Sequence, residues 1–111
     1  MPVSEIDLAT FDDLKASAGD EFVTELVGTF LEEAPGMLAE LRGARAAGSA
    51  ERFRRAAHSL KSNSLTFGAV RLGALARDLE LGALPADGAP LEALDAAFAR
   101  AAAALKALCD G

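Results

Sequence analysis

Apolar residues in this chain recur at three- and four-residue intervals, in stretches that glycine or proline brings to an end. Phe22, Leu26, Phe30, Leu38 and Leu41 form one stripe, Leu72, Leu75 and Leu79 another, and Leu91, Leu94, Phe98, Leu105 and Leu108 a third. Such spacing returns side chains to one face of an α-helix, whereas a half-buried strand needs strict alternation. Alanine and leucine dominate, β-branched residues are few, and tryptophan and tyrosine are absent, which favours helices over a sheet.

The breakers divide the pattern into five predicted helices. A short one runs from Asp7 to about Ala18, with Phe11 and Leu14 inward and Gly19 as its stop. The second starts near Asp20 and lasts to about Ala47, with Pro35 inside it, where loss of a backbone donor predicts a kink. Gly48 closes that segment and Ser49 is placed to cap a third helix, which runs from Ala50 to Phe67 and ends at Gly68. The fourth covers Val70–Leu81, the stretch Gly82–Pro90 reads as a loop, and the last helix begins at Leu91. Short connections make successive long helices antiparallel. The expected fold is therefore all-α, an up-and-down antiparallel four-helix bundle with a short additional N-terminal helix lying across one end. Residues 1–111 are expected to form a single domain. Phe22, Phe30, Phe53, Phe67 and Phe98 are expected in its core.

Composition narrows the function. Seventeen acidic against 11 basic side chains give a formal charge of −6, the wrong balance for a generic binder of nucleic acid or anionic membrane. The single cysteine, Cys109, excludes an internal disulfide and a multi-thiolate metal site, and with the single histidine, His58, a bis-histidine haem, a His-rich zinc site or a copper site is hard to build within one chain. No metal and no cofactor is expected. Met1–Thr10 carries acids rather than a basic leader, and the apolar run Ala101–Leu105 is too short to span a bilayer, so a cytoplasmic chain is expected.

The third predicted helix carries the chemistry. At about 100° per residue, Phe53, Ala56, Leu60 and Phe67 fall within about 45° of the direction opposite His58, which turns the imidazole outward. Lys61 lies roughly 60° to one side of it, Ser62 about 40° to the other, and Leu65 about 20° away two turns on. Arg54 and Arg55 precede it by one turn. This basic cluster stands out in an acidic chain, and nearby cations favour the neutral, nucleophilic imidazole. The setting suits a ring that accepts and donates a phosphoryl group, with Lys61 neutralising charge on it. Asn63 and Ser64 are expected to make local hydrogen bonds, and Glu32-Glu33 to be a solvated face. Leu65, with Leu14 or Val23, is a candidate for an apolar docking patch; the alternative for Leu65 is packing under the first helix.

The run Ala57-His58-Ser59-Leu60-Lys61-Ser62-Asn63-Ser64, followed by Gly68-Ala69, resembles the signature of histidine-phosphotransfer (HPt) domains, the phosphocarriers of bacterial multistep phosphorelays. The family motif is His, any residue, Leu, Lys, Gly, with a later Gly-Ala pair. Ile6-Asp7, Phe11, Leu14, the stretch from Phe30 to Pro35, Arg55-Ala56-Ala57 and Leu79-Glu80 also look like family positions. The resemblance implies that His58 is phosphorylated through its outer nitrogen, that Lys61 assists the phosphoryl group, and that Arg54, Arg55, Ser62 and Leu65 belong to a docking face. It also implies, as partners, the receiver domains of a hybrid sensor kinase and of a response regulator, whose own pockets supply the magnesium. Ser62 departs from the family's usual glycine and adds a hydroxymethyl group to that face. No nucleotide-binding loop is present, so no ATP-dependent kinase activity of its own is expected. A monomer is expected, although an extra apolar stripe on the last helix is a candidate for pairing two copies. The alternatives are a helical module that binds receivers without phosphoryl chemistry and, more narrowly, the phosphoacceptor domain of a chemotaxis-type kinase.

Overall fold

The computed structural model describes residues 5–110. Met1–Ser4, part of the opening segment read for a leader, and Gly111 lie outside the described residues. Among those described there are five helices and no strand: α1 Leu8–Ala18, α2 Asp20–Ala46, α3 Ala50–Thr66, α4 Val70–Leu81 and α5 Ala89–Asp110. In the bundle α3 packs between α2 and α4, and α5 closes the ring against the same two helices. Among the described residues the backbones of the diagonal pairs, α2 with α4 and α3 with α5, do not approach one another closely. The shorter α1 lies against α2 and α3.

Local chemistry sets the helix ends. The Ser49 hydroxyl accepts a hydrogen bond from the Arg52 N–H (3.3 Å), capping α3 as its position predicts. Gly19, Gly48 and Gly68 all adopt positive φ where one helix gives way to the next. The last helix starts two residues before the expected Leu91. Asp87 Oδ1 accepts from the Ala89 N–H (2.9 Å), and Pro90 fits a first helical turn because its missing donor is not needed there. Pro35 is exposed, and α2 passes through it as one continuous helix rather than breaking.

The core is built from stripes on all five helices. On α2 the buried positions are Val23, Val27, Phe30, Ala34, Leu38, Leu41 and Ala44. Phe22, expected inside, is 52% exposed, because it stands one residue step, about 100°, away from the inward position that Val23 takes. Burial of Val23 equally removes it from any docking patch, and Leu14 is half-buried against the core. Phe30 joins α2 to the end of α3 through Phe67 (centroids 5.4 Å) and to α5 through an edge-on contact with Phe98 (6.1 Å). On α5, Leu91, Leu94 and Leu105 are buried and Phe98 and Leu108 are half-buried against the core of this bundle. Arg45 holds the α4–α5 loop, donating to the carbonyls of Pro85 (3.2 Å) and Ala86 (2.8 Å).

The α3–α4 turn is where α1 docks. The Asp7 N–H donates to the Gly68 carbonyl (2.7 Å), and a Cβ at Gly68 would stand 2.8 Å from Asp7 O and 3.1 Å from Thr10 Cβ. With φ at +78°, Gly68→Ala combines backbone strain with that clash. We expect the substitution to lower stability by roughly 1–3 kcal/mol in urea unfolding; an unchanged midpoint would mean that the turn and α1 adjust without cost.

Candidate functional site

His58 projects from α3 on the side opposite Phe53, Ala56 and Leu60, which are buried. Its side chain is 59% exposed, as the helical phase predicts. The neighbouring turns satisfy their own polar groups. Asn63 Nδ2 donates to the Ser59 carbonyl (2.8 Å), Ser64 Oγ to that of Leu60 (2.6 Å) and Thr66 Oγ1 to that of Ser62 (3.0 Å). Asn63 and Ser64 thus make local bonds, and Ser64, although fully buried, is satisfied.

The decisive neighbour comes from another helix. Glu80, in the last turn of α4, places Oε2 2.6 Å from His58 Nδ1 and Oε1 2.7 Å from Lys61 Nζ. One carboxylate therefore receives both candidate side chains of α3. The Glu80 side chain is only 19% exposed. The Lys61 ammonium, and after it the His58 ring, hold its pKa below the ordinary carboxylate value of 4.5, against a smaller opposing effect of desolvation. An ionised carboxylate accepts, so Nδ1 carries the hydrogen, and in the neutral ring the lone pair is then on Nε2.

This arrangement redistributes the cations read from the sequence. Lys61 is half-buried and engaged by Glu80, and Arg55 donates to Glu51 one turn earlier on its own helix. Arg54 has no ion pair or hydrogen bond among the described residues. His58, Arg54, Arg55, Glu51, Glu80 and Leu81 line one open depression. Ser62 and Leu65 are both exposed on the adjoining surface, Leu65 at 45%. Leu65 packs on α4: its Cδ2 lies 2.6 Å from where a Cβ of Gly73 would stand, so it rests on the bare backbone of that helix. Glu32 and Glu33 are solvated. Glu80 and Leu81 are the contributions that helical phase did not reveal. The only sequence signal for Glu80 was its place beside Leu79 in the resemblance.

The family model described as the Hpt domain matches residues 25–104, which include all of α3 and α4. No curated protein and no solved structure matches the chain.

The lowered Glu80 pKa has a consequence for folding. Protonating a carboxyl that is more acidic in the fold than in the unfolded chain opposes folding. The contribution of Glu80 is thus complete above pH 4.5 and is lost as pH falls through its lower folded value. The stability gap between the wild-type chain and Glu80→Gln, measured by urea unfolding, is expected to be widest near neutrality and to close in acid. A gap that stays constant on acidification would show that the carboxylate is not stabilised by its two partners.

Proposed function

The chain belongs to the Hpt domain family, whose members carry phosphoryl groups on histidine in phosphorelays and are not kinases, and on that premise we propose that His58 is the residue that carries the phosphoryl group here. In this reading a receiver domain presents an aspartyl phosphate, and His58 Nε2 attacks the phosphorus. A P–N bond forms as the bond from phosphorus to the aspartate oxygen breaks, and the aspartate leaves as a free carboxylate. The ring acquires positive charge while its proton stays on Nδ1, facing the Glu80 carboxylate. Transfer to the aspartate of a second receiver is the same step reversed. The observation that carries the proposal is the pairing of His58 Nδ1 with Glu80 (2.6 Å) on a ring that is otherwise exposed.

Glu80 and Lys61 then have distinct parts. Glu80 fixes the tautomer that makes Nε2 nucleophilic and stabilises the charge that develops on the ring. Lys61 keeps Glu80 ionised in the resting state, and direct assistance to the phosphoryl group requires it to leave that ion pair. The depression beside His58 opens to solvent, which suits entry of the ring into a partner's pocket. Arg54, Arg55, Ser62 and Leu65 form the proposed docking face, the first two by charge and Leu65 by apolar contact. We further propose that residues 1–111 act as one domain, as a monomer in the cytoplasm, between a hybrid sensor kinase and a response regulator. Two observations support this reading: the apolar stripe of α5 is turned inward, and among the described residues no helix is long and apolar enough to cross a membrane.

Incubation with a receiver domain charged from acetyl phosphate tests the proposal. Label on the chain is expected to be stable in alkali, lost in acid and absent from His58→Gln; transfer that persists in His58→Gln overturns it. Glu80→Gln keeps an acceptor but removes the charge facing Nδ1, so it should slow transfer by roughly tenfold or more. Ser62→Gly is expected to change affinity for at least one receiver, and identical kinetics with every receiver offered would remove Ser62 from the docking face.

A further inference from the structure

A phosphoryl group attached to His58 brings close to two negative charges to the surface of α3 and three strong acceptor oxygens with them. The sequence assigns their neutralisation to Lys61, but Lys61 Nζ sits 2.7 Å from Glu80 Oε1. Glu80 is also the partner of Nδ1. The two nitrogens of an imidazole point away from one another, so the Glu80–Lys61 pair occupies the side of the ring that the phosphoryl group does not.

The charges around the depression can be assigned one by one. Glu51 is paired with Arg55, and Glu80 with Lys61. Of the ionised groups lining the depression with His58, Arg54 alone has no partner among the described residues. It stands four residues before His58, the spacing at which helical side chains are neighbours. Long side chains of an α-helix also lean toward the N-terminus, so the His58 ring covers the turn that Arg54 belongs to and leans away from Ser62. A guanidinium offers planar, paired N–H donors that match phosphoryl oxygens.

Resting on the phosphocarrier reading, we infer that Arg54 is the residue that binds the phosphoryl group on His58, while Lys61 serves the ring through Glu80. Among the described residues Arg54 makes no ion pair or hydrogen bond that it would have to give up. It gains its partner only when His58 is phosphorylated, so it favours the loaded form over the empty one.

The test needs no receiver. The whole chain is phosphorylated with phosphoramidate, a small-molecule phosphoryl donor, and the phosphohistidine is followed by phosphorus NMR across a pH titration. A guanidinium beside the group favours its fully ionised form, so Arg54→Gln is expected to raise the titration midpoint by about half a pH unit. Arg54→Lys should recover part of that shift, and Lys61→Gln should move the midpoint less than Arg54→Gln does. Arg54 is exposed and unpaired, so its variants are expected to keep the helical circular dichroism of the parent. Equal midpoints in the parent and in Arg54→Gln, with His58 labelled in both, overturn the assignment of Arg54 and leave the carrier reading intact. Failure of the parent chain to take label at His58 overturns both.

Discussion

A Cβ added at Gly73 would stand 2.6 Å from Leu65 Cδ2 and 3.0 Å from its Cγ, so Leu65 of α3 is seated directly on the backbone of α4. This close approach fixes how the two helices align lengthwise. From Leu65, two turns back along α3 lead to His58; from Gly73, two turns forward along the antiparallel α4 lead to Glu80. The pairing of the imidazole with the carboxylate thus follows from a packing contact at the other end of the same interface. Phe53, Ala57 and Leu60 on α3 and Leu72, Ala76 and Leu79 on α4 are buried in the core, whose close packing resists sliding of either helix.

Around this frame the site divides its charges by task. Glu80 is shared between His58 and Lys61, which makes the inner side of the ring locally balanced and fixes the orientation of the imidazole. The outer side is left to solvent, to the unpaired Arg54 and to whatever protein approaches. A ring held on one edge and open on the other is suited to reversible transfer, because the holding contacts are the same before and after the phosphoryl group arrives. The glycines at 68 and 73 serve the same end. One lets α1 settle on the α3–α4 turn and the other lets Leu65 sit close to α4.

Where the sequence reading missed, the errors were of phase or of distance. Phe22 was placed inside because phenylalanine is apolar and lies near the stripe, but Val23 holds the inward position and Phe22 is half exposed. Val23 was offered to a docking surface and is buried for the same reason. The last helix begins two residues before the predicted Leu91 because proline, a breaker in a helix interior, is tolerated in a first turn. The cationic setting of His58 was inferred from neighbours on its own helix, and the carboxylate that offsets it lies on another.

The sequence by itself determined the helices, their breakers, the buried stripe of α3 and the outward direction of His58. These are local properties: each residue turns the helix by the same angle, so a face can be read from spacing alone. It also held the motif that ties the chain to its family. Only the tertiary structure decided that Glu80 meets both His58 and Lys61, that Arg54 has no partner among the described residues, and that Leu65 rests on Gly73. Those outcomes depend on how one helix slides and rotates against the next. That is set by the summed packing of many side chains across the interface and leaves no periodic mark in either strand of sequence.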